Sequence, residues 1–104
     1  MPPELLAILA ERFKAFAEPA RLQVLYSLRG GEKSVNDLVA LTGLGQANLS
    51  KHLQVLHAAG LVVRRREGAF AYHALADGDV LQLCDLVCGR LDKESRALLK
   101  ALSR

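Results

Sequence analysis

The 104-residue chain has no tryptophan, only two tyrosines and three phenylalanines, and no apolar run long enough to cross a membrane. Its start, MPPELLAILAERF, lacks the basic segment that opens a secretory signal peptide. The two cysteines, Cys84 and Cys88, lie one helical turn apart, where their Cβ atoms are poorly aimed for a disulfide. We therefore expect one cytoplasmic domain over residues 1–104, with no membrane partner and both thiols reduced.

The usual sequence signatures of catalysis are missing as well. There is no phosphate-binding loop, no pair of catalytic carboxylates, and no Ser or Cys nucleophile with an orienting His and acid nearby. A thiol enzyme favours a cysteine at a helix N-terminus, where its pKa is lowered, whereas Cys84 and Cys88 lie inside a predicted helix. These absences predict a protein that is not an enzyme.

What the chain does have is a local excess of positive charge. Its net charge is +3, and both ends are balanced. The excess lies in residues 38–76, which contain Lys51, Arg64, Arg65 and Arg66 against Glu67 alone. A basic block between neutral ends is suited to binding a polyanion. A solvated strand end would explain the charge alone equally well.

The pattern of apolar and turn residues predicts five helices and a β-hairpin. The third helix is expected to begin at Ser34, an N-cap paired with Asp37 in a capping box. A hairpin is expected in LVVRRR and AFAYHAL, with its turn at Glu67-Gly68. The helices are predicted at about residues 4–17, Pro19 to Leu28, Ser34 to about Thr42, 46–58, and about Gly78 to the C-terminus, loosened at Gly89.

The third helix, a glycine-containing turn, the fourth helix and the hairpin together predict a winged helix–turn–helix. In fold class this is mainly α with a β-hairpin wing (α+β). Leucines occupy the inward face of the fourth helix and polar residues occupy the outward face, where amides can pair with adenine edges and lysine with guanine or phosphate. An ordinary solvated face is the alternative, and the adjoining basic hairpin favours double-stranded DNA. The predicted DNA-contacting residues are Gln46, Ala47, Asn48, Ser50, Lys51, Gln54, Arg64, Arg65 and Arg66.

Two further expectations concern this region. Because neighbouring strand residues alternate faces, at most two of the three consecutive arginines point the same way, toward phosphates or the minor groove. His52 lies beside the leucine stripe, which favours a structural hydrogen bond over a base contact.

Three stretches together resemble the ArsR/SmtB family of bacterial winged-helix repressors: FAEPARLQVLYSL, LVALTGLGQANLSKHLQVLHAAGLV and RRREGAFAYHAL. The resemblance covers about residues 5–92. It implies a homodimer joined by the first and last helices, which binds a two-fold DNA operator and releases it when an effector arrives. It also places Gln46, Asn48, Ser50 and Lys51 where the family contacts DNA. The predicted dimer face comprises Leu9, Phe13, Phe16, Val80, Leu83, Val87 and Leu91.

The family's two better-known sensor sites are not matched by this chain. Where the arsenic-type site has Cys-Val-Cys-Asp-Leu, this sequence has SVNDL at residues 34–38, without either thiolate. Where the zinc-type site has Asp-x-His and a later His, it has Asp77-Gly78-Asp79 and Arg90, which make a poor zinc site.

Cys84 and Cys88 therefore become the candidate effector site. Two thiolates suit a soft ion such as arsenite, Cd²⁺ or Cu⁺, with a third ligand from water, His73 or the other subunit. They suit persulfide or oxidant chemistry equally well. The alternative is that both cysteines pack as small apolar residues and the protein regulates constitutively, with no effector. The sequence leaves these possibilities open.

Overall fold

The computed structural model describes residues 1–103 and has the five predicted helices and the hairpin in the predicted order, with one additional short strand. The last helix begins two residues later than predicted and continues through Gly89 without a break, because an exposed glycine lowers helix propensity without removing a hydrogen bond. The helices are α1 (Pro3–Phe16), α2 (Pro19–Ser27), α3 (Val35–Thr42), α4 (Gln46–Ala58) and α5 (Val80–Leu102), and the strands are β1 (Lys33–Ser34), β2 (Val62–Glu67) and β3 (Phe70–Leu75).

Arg21 joins the end of α1 to the start of α2. Its guanidinium group donates hydrogen bonds to the carbonyl oxygens of Ala15 at 2.8 Å and Lys14 at 3.0 Å, and it pairs with the Glu18 carboxylate at 2.8 Å. The last carbonyl groups of a helix lack the usual partner within that helix, and the arginine donates to two of them, one of which, that of Lys14, also accepts from the Ala17 N–H. The sequence EPAR thereby ties the start of α2 to the end of α1.

The helix–turn–helix unit is set by local capping. Ser34 accepts a hydrogen bond from the Asp37 backbone N–H, and Asp37 accepts one from the Ser34 N–H, which confirms the predicted capping box. The C-cap of α3, Gly43, has a φ of 73°, a left-handed conformation that favours glycine. The Leu44 N–H then donates to the Thr42 hydroxyl at 3.2 Å, which orders the turn into α4.

The three strands form an antiparallel sheet in the order β1-β3-β2. The sequence did not predict β1, which pairs Lys33 with His73. Glu67 pairs directly with Phe70, so the hairpin turn consists of Gly68 and Ala69 and not of Glu67-Gly68 as predicted. Gly68 has a φ of 59° in the first position of this two-residue turn, as a type II′ turn requires.

The core lies beneath α4 and joins it to the neighbouring elements. Leu49 and Leu56 of α4 are fully buried, as are Val24 and Leu25 of α2 and Leu38 of α3. This arrangement holds the outward face of α4 in a fixed direction relative to the hairpin.

Most of α5 extends away from this core. Only Val80 and Leu81 of the helix are buried, although its 23 residues span about 34 Å. The radius of gyration is 16.3 Å, compared with about 13 Å for a compact chain of this length. None of the helices in residues 1–103 is long and apolar enough to span a bilayer.

Candidate nucleic-acid interface

The outward face of α4 presents a continuous polar surface. Leu49, Leu53 and Leu56 point into the core, at 5% exposure or less. The six α4 residues predicted to contact DNA are all exposed, and they lie on the surface of the helix that the leucines leave free: Gln46, Ala47, Asn48, Ser50, Lys51 and Gln54. Gly45 precedes the helix without a side-chain cap, so the first backbone N–H groups of α4 stay open to an acceptor such as a phosphate.

The hairpin presents its three consecutive arginines on alternating faces. Arg64 lies directly opposite His73 and faces a groove beside α4. Arg66, two residues on, lies on the same face of the strand, opposite Ala71. This face of the hairpin therefore adjoins the polar face of α4, so that Arg64 and Arg66 extend the basic surface begun by Lys51.

Arg65 points to the other face of the hairpin, where its charge is already paired. Its guanidinium donates to both Glu32 carboxylate oxygens, at 2.6 and 3.2 Å, and to Glu67 at 2.9 Å. It also lies over the Tyr72 ring, 4.8 Å from the centroid. The hydrogen bonds to Glu32 and Glu67 raise the pKa of Arg65, and the same contact lowers the pKa of Glu32. The alternation of the three arginines is as predicted, and Arg65 is the one that is engaged within the protomer.

Sequence reasoning missed Glu32 as the partner of Arg65. The two residues are 33 positions apart, and they meet only because the short strand β1, which begins after Glu32, pairs with β3. A contact between residues so far apart leaves no periodic pattern in the sequence. The one feature of the sequence that could have indicated it is the single acidic residue between Gly31 and Lys33.

His52 is partly buried, but its contact with Glu18 is longer than a hydrogen bond, so the predicted structural hydrogen bond is not formed to that residue. Its side chain is 15% exposed and its Nε2 atom lies 3.6 Å from Glu18. The contact joins α4 to the segment that links α1 and α2.

The two cysteines differ in their surroundings. Cys84 is half-buried against the core, and this burial raises its pKa, with a further increase from the Asp85 charge. Cys88 is exposed. Beside them, Arg29, which follows the end of α2, pairs with Asp85 of α5 at 2.5 Å. The thiols therefore lie next to an ion pair that ties α5 to the segment after α2.

The structure does not support His73 as a third ligand for these thiols. Its side chain lines the groove between α4 and the hairpin, whereas Cys84 packs beside α2. Residues 1–103 contain no group of three or more His, Cys, Asp or Glu side chains placed to hold a metal ion.

Comparison with known proteins agrees with this arrangement of helices and wing. Residues 18–63 match the family described as bacterial regulatory protein, arsR family. The arsenical resistance operon repressor of Bacillus subtilis (strain 168) is 36% identical over 78 residues, which is 74% of each chain. The chain belongs to the arsR family.

Two solved structures confirm the winged helix–turn–helix fold expected of an arsR-family member. The crystal structure of Mycobacterium tuberculosis Rv0081 superimposes with a TM-score of 0.83 at 33% identity, covering 95% of this chain and 99% of that one. The solution structure of the homodimeric winged helix-turn-helix DNA-binding domain of Mb0332 from Mycobacterium bovis gives a TM-score of 0.81 at 37% identity, covering 90% and 87%. The chain spans 33% to 66% of the length of several curated regulators that it matches.

The arsR-family protomer exposes much of the apolar face predicted for dimerisation. Leu9, Phe13, Leu83, Val87 and Leu91 are 40–56% exposed. Of the other two predicted residues, Val80 is 8% exposed within the protomer's own core, and Phe16 is partly buried against that core. Both lie where α1 and α5 meet the core, so the available face lies earlier in α1 and later in α5.

Proposed function

We propose that this arsR-family chain is a transcriptional repressor that binds a two-fold DNA operator as a homodimer and is released by a thiol-directed effector. One observation carries the DNA-binding part: the polar face of α4 adjoins the hairpin face that carries Arg64 and Arg66. Beside Lys51, the α4 face has amides and a hydroxyl, which suit base edges and phosphates. The protein needs no enzymatic activity for this role.

In this proposal the start of α4 enters the major groove. Gln46 and Asn48 read base edges, Ser50 and Lys51 contact bases or phosphates, and Gln54 lies closer to the wing. Arg64 and Arg66 contact the DNA backbone beside the groove and set the register of α4 without reading sequence.

The homodimer brings two such units to one operator. Support comes from α5, which extends beyond the core with exposed apolar residues, and from α1, whose Leu9 and Phe13 are exposed. A closed two-fold pair covers both surfaces and spaces the two α4 helices about one DNA turn apart. The relative from Mycobacterium bovis is described as homodimeric, which agrees with this assignment.

The effector part of the proposal rests on Cys84 and Cys88. A soft metal or metalloid ion, or sulfur atoms bridging the two turns, would change how α5 packs beside the Arg29–Asp85 pair. Because α2 packs on α4, a shift of α5 against α2 reaches the recognition helix through continuous packing. A dimer with altered α5 geometry no longer matches the half-site spacing.

A constitutive regulator with structural cysteines is the second candidate, and one observation favours it. Cys84 is half-buried against the core, and its raised pKa makes the thiolate, the reactive form, scarcer. In that case Cys88 is an exposed thiol with no regulatory role.

Selection from a random pool of duplex DNA, followed by titration with effectors, tests both parts. We expect enrichment of two-fold sequences, and release of the selected DNA by one of arsenite, Cd²⁺, Zn²⁺, glutathione persulfide or peroxide. Cys84→Ser and Cys88→Ser should each abolish that release while leaving DNA affinity unchanged. Absence of sequence enrichment contradicts the repressor assignment. Release by none of the five supports the constitutive alternative. Release from both variants that is as strong as from wild type shows that an effector acts at a site other than the cysteines.

A further inference from the structure

A groove of about 460 Å³ lies between α4 and the hairpin. Ser50, Gln54 and His57 form its α4 side, and Arg64 and His73 form its hairpin side. Its remaining lining is apolar and comes from Val35, Leu53, Ala58 and Ala71. Hydrogen-bond donors from two elements therefore converge on one concave surface.

The charges around this groove have one sign. Arg64 is cationic, His57 and His73 carry imidazole rings, and no acidic residue is among the lining residues that the structure describes. The nearest carboxylates of the hairpin region, Glu32 and Glu67, pair with Arg65 on the opposite face. The groove therefore attracts anions without competition from a carboxylate within it.

His73 differs from the other polar residues of the groove because it is buried. It is 7% exposed, and its Nδ1 atom is buried without a hydrogen-bond partner. A buried polar atom without a partner is destabilising and is uncommon in folded proteins, which makes a functional reason worth seeking. An acceptor that entered the groove would have the imidazole and the Arg64 guanidinium on the same side.

We propose that this groove binds a phosphoryl oxyanion, either a DNA backbone phosphate or free inorganic phosphate, and that His73 takes up a proton from solvent when it does. Arg64 provides the fixed positive charge, and Ser50, Gln54 and His57 provide hydrogen-bond donors. If the ligand is a DNA backbone phosphate, the inference rests on the proposed DNA binding. If the ligand is free inorganic phosphate, the inference does not depend on DNA binding.

The sign of the pH dependence follows from the surroundings of His73. Burial lowers the pKa of His73, and the positive charges of Arg64 and His57 lower it further. Lys33 of β1 lies across the strand, but its ammonium group points to the Gly31 carbonyl oxygen at 3.3 Å, and α3 contributes only the apolar Val35. The imidazole is therefore neutral near pH 7, and an anion beside it favours the protonated form.

Binding that takes up a proton becomes stronger as pH falls. Binding depends on pH only at pH values between two limits. The lower limit is the pKa of His73 in the free protein, and the upper limit is its higher pKa in the complex. Within that window each proton taken up strengthens binding by up to about tenfold per pH unit.

The first experiment follows the histidine ring resonances of the free protein by NMR between pH 5.5 and 8. Inorganic phosphate is compared with chloride at equal ionic strength. We expect phosphate to raise the titration midpoint of His73 by about one unit, as a nearby opposite charge does. Arg64→Gln should remove this effect. His52→Gln, which replaces the histidine outside the groove, should retain it.

The second experiment measures binding to a random-sequence duplex at pH 6 and pH 8 and constant salt. We expect tighter binding at pH 6 for wild type and for His52→Gln, and a much smaller difference for His73→Gln and Arg64→Gln. Circular dichroism shows whether the buried His73→Gln variant folds. The exposed Arg64→Gln variant decides the test if it does not.

The two experiments separate the possible sources of the ligand. A pH effect with the duplex but no response to phosphate identifies a backbone phosphate. A response to phosphate without a pH effect on the duplex identifies a free-ion site. The inference is overturned if phosphate does not change the His73 titration and duplex binding does not depend on pH. It is also overturned if these effects persist in Arg64→Gln. If no duplex binds at any pH, the proposed repressor function fails while the phosphate experiment still decides the groove.

Discussion

At the scale of single residues, the hairpin arginines have different expected roles. Replacing Arg64 or Arg66 by Ala should weaken binding to all DNA sequences and reduce the slope of log affinity against log salt by about one for each phosphate that is no longer neutralised. Replacing Arg65 by Ala should change the salt slope much less, because Glu32 and Glu67 already pair with it. Binding titrations at several salt concentrations measure all three slopes.

Arg65→Ala is also the matched control, since it removes the same side chain from the opposite face of one strand. If the three variants lose the same amount of salt dependence, the ion pairs of Arg65 open when DNA binds and the distinction between the two faces is wrong. The sequence predicted that the arginines alternate. It could not predict which face was neutralised, because Glu32 reaches Arg65 only through the folded sheet.

Base reading is expected from the exposed amides at the start of α4. Gln46→Ala or Asn48→Ala should reduce the preference for the selected operator over random DNA, by about 1–3 kcal/mol for each base that is no longer read. Affinity for random DNA should stay nearly the same, since the phosphate-binding side chains remain. Competition between operator and random duplexes measures the preference. Gln82→Ala, an exposed amide on α5, is the control and should leave the preference unchanged.

At the scale of elements, Gly43 sets the turn that directs α4. A Cβ atom at Gly43 would meet nothing within 4 Å, so the only obstacle to alanine is the φ of 73°. Gly43→Ala should lower the free energy of unfolding by about 1–2 kcal/mol, the usual penalty for a left-handed residue with a side chain. Urea denaturation measures the change.

Gly89→Ala is the informative comparison, because this glycine is exposed within α5 and also has open space around it. There alanine should stabilise the helix by up to about 1 kcal/mol. If both variants destabilise the protein equally, backbone conformation is not what distinguishes the two positions.

The elements were predictable where their signal is local. The capping box of Ser34 and Asp37 and the leucine spacing of α4 depend on neighbours in sequence, and both were found. The strand β1 has only two residues, too few to show a period, and it exists because β3 offers a pairing edge. The turn at Gly68-Ala69 was misplaced by one residue because only cross-strand register fixes its position. Val80 and Phe16 were assigned to the dimer face because an apolar stripe does not show which of its members meets the core.

At the scale of the whole molecule, the protomer leaves large apolar residues of α1 and α5 exposed to solvent, outside its core. The polar α4 face and the apolar α1 and α5 faces are separate, so one protomer can bind DNA and a second protomer at once. Cys84 lies at the junction of α5 with the core, and Cys88 lies one turn further along the helix. These positions are what make them candidates for coupling dimer geometry to DNA binding.

Dimerisation through α5 can be tested without disturbing the protomer. Val87 is 53% exposed, so Val87→Glu should fold normally but place two carboxylates where the subunits meet. Sedimentation should give about twice 11.3 kDa for wild type and 11.3 kDa for the variant. Operator affinity should fall by orders of magnitude because each half-site is then bound alone. Gln82→Glu adds the same charge elsewhere on α5 and should remain dimeric. A Val87→Glu protein that stays dimeric and binds operator normally would show that the subunits meet through another surface.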